Sequence, residues 1–172
     1  MMRIYIPVTL AMLAQLVADG SLQPVSGTAF AVTPKLREAY AEGDDDELGE
    51  VALREAALAS LRLLAGAADD SGQSGDELPA RRAVLVADVG DVTLRPDLDD
   101  AVVRIGGPVT TDDVVAAFVD NAAAEAQVRD AIAVIDAADL GDEDAELTVG
   151  DAQDHELAWY AVQELPFLLE LL

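Results

Sequence analysis

Arg82-Ala83-Val84-Leu85-Val86-Ala87-Asp88 is the stretch that decides the fold. Ala83, Leu85 and Ala87 face one way and Val84 and Val86 the other, so both sides are apolar. A strand with one wet face alternates apolar and polar residues. A strand buried on both sides reads as a continuous apolar run. Residues 114–119 read in the same way. The sheet that holds these strands is therefore covered on both faces, either by the chain's own helices or by a second subunit.

Towards the N-terminus, residues 3–8 alternate, with Ile4, Ile6 and Val8 on one side and Arg3 and Tyr5 on the other. This is a strand, and Pro7 marks an edge or a strand end. Leu10, Leu13, Leu16 and Val17 follow at helical spacing, and Gly20 stops them. Phe30-Ala31-Val32 is a short extended link. Thr33-Pro34 starts a helix, with Thr33 as N-cap and Pro34 at the first position, and this helix ends near Gly43. Asp44, Asp45 and Asp46 open the next helix, at the end where the dipole favours carboxylates. It runs to about Ala65, with Leu48, Val51, Ala52, Ala59 and Leu63 on one face. Glu50 and Arg54 are spaced for an i,i+4 ion pair. Residues 68–79, with Gly72 and Gly75, read as a flexible loop.

Towards the C-terminus, 91–100 is a connection and 101–105 a strand closed by Gly106-Gly107-Pro108. Residues 122–138 form a helix with Ala124, Val128, Ile132 and Ile135 at core spacing, ended by Gly141. Residues 142–151 read as an acidic connection, 157–161 as the last strand, and 166–172 as a short apolar helix. The order β-α-α-α-β-β-β-α-β-α predicts a single α+β domain over 1–172. Its expected form is a mixed sheet with helices in a ferredoxin-like βαβ-βαβ arrangement, with extra helices after the first strand. In such a sheet the first and last strands are neighbours. The leucine-rich tail is too apolar to stay in water. It docks on its own sheet or crosses to a neighbour, and a homodimer is the expectation.

Thirty-four acidic residues against ten basic ones leave a net charge of −24. That charge repels nucleic acid and anionic membrane surfaces. With 52% apolar residues the chain still has the means to build a core, so the acid belongs on a surface and not to disorder. Lys35 is the only lysine and Asn121 the only asparagine. Salt adaptation and a high-GC genome both produce such a balance, and the single asparagine favours the genomic reading. The chain contains no cysteine, which excludes disulfides and thiolate chemistry. The apolar start, interrupted by Pro7, Thr9 and Gln15, lacks a convincing cleavage site, and no apolar run spans a bilayer. A cytoplasmic protein is expected.

The only histidine, His155, and the only tryptophan, Trp159, fall within a few residues of Tyr160, Gln163 and Glu164. His155, flanked by Asp154 and Glu156, is the acid–base candidate, because imidazole titrates near neutrality. Neighbours along a strand point to opposite faces, so the two flanking carboxylates cannot both reach the ring from one side. Tyr5 and Tyr160 would share a polar patch with Glu156 and Arg3 if the first and last strands pair. Tyr5, His155, Glu156, Tyr160, Gln163 and Glu164 are therefore the candidate ligand-site residues. The aspartate clusters at 97–100, 112–113 and 142–146 are read as solvated loops. An EF-hand starting at Asp142 would place Leu147 where glycine is required, and no metal or cofactor is expected. Ser26-Gly27-Thr28 lacks the glycines and lysine of a P-loop and reads as a turn.

Several segments together carry a resemblance. They are Met2-Arg3-Ile4-Tyr5-Ile6-Pro7, the stretches 27–34, 95–102 and 137–144, and the terminal His155-Glu156-Leu157-Ala158-Trp159-Tyr160 with Gln163-Glu164-Leu165. The chain resembles a family of small acidic actinobacterial proteins classed as a domain of unknown function. Val162 departs from the proline expected in the terminal motif. The resemblance implies no activity, substrate or site residue. The expected role is binding of a partner protein or a small ligand by a soluble homo-oligomer. The alternative is a hydrolase or transferase with His155 as general base, Glu156 or Glu164 as a polarising carboxylate and Tyr160 as donor.

Overall fold

The computed structural model describes residues 1–40, 42–71 and 78–172. In chain order the elements are β1 (Met2–Val8), α1 (Leu10–Asp19), β2 (Ser21–Leu22), β3 (Thr28–Phe30), α2 (Pro34–Ala39), α3 (Asp45–Ser71), β4 (Ala83–Val89) and β5 (Val92–Leu94). They continue with β6 (Val102–Ile105), β7 (Val109–Thr110), β8 (Val114–Val119), α4 (Glu125–Asp139), α5 (Glu143–Gln153), β9 (Ala158–Ala161) and α6 (Leu165–Glu170).

Seven strands form one sheet in the order β5-β6-β3-β1-β4-β8-β9, and β2 and β7 pair separately. The α+β class holds, but the arrangement departs from the ferredoxin-like expectation. Every pairing among the described strands is antiparallel, so the sheet is not mixed. The first and last strands are not neighbours, because β4 and β8 lie between β1 and β9. Pro7 sits in a central strand, near its end. The pairing of β1 with β3 is registered at Tyr5↔Phe30 alone, so the missing donor of Pro7 falls past that bridge.

Both faces of the sheet are covered by the chain's own helices. Ile4, Ile6, Val8, Leu85 and Ala87 pack with Leu10, Leu13 and Leu16 of α1 and with Leu165 and Leu168 of α6. On the other face Val84, Phe30 and Val102 meet Leu48, Ala52 and Ala56 of α3. The double-sided apolar strands thus have an intramolecular explanation, and the tail docks on its own chain. A third cluster stacks α4 and α5 on the second half of α3, through Leu61, Ala65, Val128, Ile135, Val149 and Ala152.

Four local readings change. The supposed connection at 142–151 is largely helix α5. Asp142 caps it by accepting the Ala145 N–H at 2.9 Å, and Glu143, Asp144 and Glu146 occupy its first turn. The acidic run is the start of a helix, favoured there by the dipole, with Ala145, Val149 and Ala152 on its buried side. The extended link near Phe30 is the end of β3, and the connection at 91–100 contains edge strand β5. Of the loop expected at 68–79, helix α3 takes the residues up to Ser71, and 72–77 lie outside the described residues. Thr33 caps α2 as expected, accepting the Leu36 N–H at 3.1 Å.

Candidate functional site

Helix α3 is pinned to the sheet at its middle and also packs on it near its start, through Leu48. Ser60, fully buried, donates from Oγ to the Val8 carbonyl at 2.7 Å and accepts the Ala83 N–H at 3.0 Å. Nearer the N-terminal end, the Tyr5 hydroxyl rests against Gly49, where a Cβ would lie 2.9 Å from it. The tyrosine thus fills the space between β1 and this turn of the helix, and a cleft of about 240 Å³ lies beside it. Arg3, Tyr5, Asp46, Glu50, Phe118 and Trp159 are among its walls. A trough of about 600 Å³ shares Arg3, Tyr5, Asp45 and Asp46 with this cleft and continues past Met1, Met2 and Val32.

Register explains the grouping. Tyr5 pairs with Val86 and Val86 with Ala116, while Val84 pairs with Phe118 and Phe118 with Trp159. These side chains stand on the α3 side of the sheet. Trp159 is 58% exposed on edge strand β9.

The charges of the cleft are unevenly spent. Arg3 grips Asp88 with two bonds, Nε to Oδ1 at 3.0 Å and Nη2 to Oδ2 at 3.2 Å, which holds the Asp88 carboxyl below the usual carboxylate range. Arg37 pairs with Asp45. Arg54 donates to the Gln153 carbonyl at 3.2 Å, and the i,i+4 pair expected with Glu50 does not form. Among the described residues, Asp46 and Glu50 have no cationic partner. Burial pushes the Tyr5 phenol up; Arg3 opposes this and Asp46 reinforces it. At neutral pH Tyr5 therefore presents a neutral hydroxyl.

The sequence candidates occupy several places. Tyr5 lines the cleft. Tyr160 packs against the α1 and α6 core on the other face, so the two tyrosines do not share a patch. Alternation along β9 and the two intervening strands separate them. His155 follows α5, with its N–H bonded to the Ala152 carbonyl at 3.2 Å and ring Nε2 against Gln127 Oε1 of α4. Glu156 and Gln163 are exposed. Glu164 Oε1 accepts the Ala161 N–H at 3.2 Å at the entry to α6.

Sequence reasoning missed a buried polar network. Arg82 and Asp120, 1% and 0% exposed, are joined by Nε to Oδ2 at 2.9 Å and Nη2 to Oδ1 at 2.7 Å. Arg82 also donates to Gln153 Oε1 at 2.8 Å and to the His155 carbonyl at 2.9 Å. Gln153 Nε2 donates in turn to the Arg54 carbonyl at 3.2 Å. The network ties the ends of β4 and β8 to α3, to the end of α5 and to the turn that precedes β9. A cation opening one apolar strand and a carboxylate closing another were its only signals. Among the described residues, no group of three or more histidines, cysteines or carboxylates is placed to hold a metal, and no helix is long and apolar enough to cross a membrane.

Fold and cleft define a small α+β protein, with an antiparallel sheet clad in helices on both faces and an acidic, aromatic cleft on one of them. The chain belongs to the family of unknown function DUF6912, whose model matches residues 2–169. No curated protein and no solved structure gives a significant match.

Proposed function

We propose that this is a binding protein whose working surface is the cleft between the first half of α3 and strands β1, β4, β8 and β9. The observation that carries this reading is Trp159. The only tryptophan of the chain stands 58% exposed in the wall of a cleft, where an indole is costly to leave in water. Tryptophan and tyrosine are the residues most enriched among binding hot spots. Tyr5 adds a neutral hydroxyl with no hydrogen-bond partner among the described residues, ready to accept or donate.

Because Trp159 is the only indole, emission excited selectively beyond the absorption of the three tyrosines reports on the wall of this cleft. A panel of small ligands and short peptides, sorted into cationic, neutral and anionic sets, is titrated while the emission is followed. At least one set shifts or quenches the emission saturably, and Tyr5→Ala weakens that response tenfold or more. Ligands that bind by calorimetry yet leave the emission unmoved would place the working surface elsewhere.

A further inference from the structure

We infer that the cleft receives an arginine side chain carried on a basic, extended segment of a partner protein. This rests on the reading of the cleft as the binding surface.

The charge comes first. Arg3 and Arg37 are already engaged by Asp88 and Asp45, and Arg54 is turned to a backbone carbonyl. What remains in the cleft is Asp46 and Glu50, one helical turn apart on α3, with no cation of their own. The net charge of −24 raises the local concentration of cations and repels anions. The positive end of the α3 dipole is outweighed here by the carboxylates of Asp44, Asp45, Asp46 and Glu47.

The second observation is aromatic. Trp159 and Phe118 are cross-strand partners on the wall opposite these carboxylates. A planar guanidinium stacks on an indole while it donates two parallel bonds to a carboxylate; an ammonium does neither as well. The third observation is shape. The cleft is open and runs into the trough past Met1, Met2 and Val32. From β9 to β3 are four interstrand steps in the sheet order. At ~4.8 Å each they cover about 19 Å, the reach of about six extended residues. An extended segment fills such a trough, whereas a small amine would leave most of it empty.

The test uses the full chain and Trp159 emission. The probe is a blocked eight-residue glycine–serine peptide with arginine at alternate positions. Matched peptides carry citrulline or lysine, and blocked arginine alone is the small-molecule arm. The arginine peptide gives a saturable change; the citrulline peptide binds at least tenfold more weakly, and so does blocked arginine. Asp46→Asn with Glu50→Gln weakens the arginine peptide at least tenfold. Glu143→Gln with Asp144→Asn removes the same charge from the exposed start of α5 and changes binding less than twofold. Equal binding of the citrulline peptide, or equal losses in the two double variants, would overturn the inference, because attraction would then belong to shape or to the overall field. Equal binding of the lysine peptide would reject the guanidinium, and equal binding of blocked arginine would reject the partner segment. A neutral or anionic ligand that moves Trp159 emission where the arginine peptide does not defeats this inference and leaves the binding cleft standing. If no ligand moves it, both fall.

Discussion

Gly49 lies inside a 27-residue helix, where glycine costs about 1 kcal/mol relative to alanine. Its use is steric: a Cβ there would meet the Tyr5 hydroxyl at 2.9 Å, and a tyrosine ring has little freedom to retreat. In the Tyr5→Phe background, Gly49→Ala is expected to stabilise by about 1 kcal/mol. In the native background it gives less than half of that or destabilises, and urea unfolding of the four proteins reads the difference. Equal gains in both backgrounds would show that the hydroxyl does not fill this space. On the same helix, Glu55 is half-buried. Burial raises its pKa, Asp99 reinforces the shift, and Arg62 and Arg54 only partly offset it. The folded carboxyl then binds protons more tightly than the unfolded one. Stability attributable to Glu55 is therefore present at low pH and lost as pH rises through the raised value. Glu55→Gln is expected to be more stable than the native protein at pH 7, and the two converge in acid. Thermal unfolding across pH 4 to 7 checks this, and a variant that is less stable at pH 7 would reverse the sign.

At the scale of elements, the Arg82–Asp120 pair joins four pieces of chain that have no local reason to meet. All of its strong contacts are satisfied, so breaking one partner leaves a buried charge without compensation. Asp120→Ala is expected to cost about 3–5 kcal/mol. The joint change Arg82→Met with Asp120→Leu should cost clearly less, because it leaves no stranded charge. Denaturant unfolding measures both. In Asp120→Ala the emission of Trp159 also shifts, because Arg82 holds the carbonyl of His155 at the entry to β9. A cost below about 1 kcal/mol would make the pair an incidental contact. The misread acidic stretch at α5 belongs to this scale as well. Its charge run reads as solvated loop, but Ala145, Val149 and Ala152 carry helical spacing and form its buried side.

For the whole molecule, most of the cations are held by carboxylates, and the remaining acidic residues repel one another across the surface. At −24 that repulsion opposes the compact state, and salt screens it with a Debye length that falls from ~30 Å at 0.01 M to ~3 Å at 1 M. The Tm is expected to rise with potassium chloride over this range. A flat or falling Tm would show that the local pairs outweigh the net field. The same field is what favours a cationic occupant for the cleft.

By itself the sequence determined that the sheet is buried on both faces, because an apolar run at both phases of 83–87 admits no wet side. It also determined the starts of α2 and α3, since Thr33-Pro34 and Asp44-Asp45-Asp46 act through bonds and dipoles within one turn. It placed Tyr5 and Trp159 on strands. Only the tertiary structure decided that β4 and β8 separate the first and last strands, because pairing depends on long-range contacts that periodicity does not encode. That order sent Trp159 to the cleft and Tyr160 to the core, and so divided residues that adjacency had grouped. The freedom of Asp46 and Glu50 was likewise a tertiary outcome. Arg54 was close enough to neutralise Glu50, and the carbonyl of Gln153, nearly a hundred residues along the chain, took it instead.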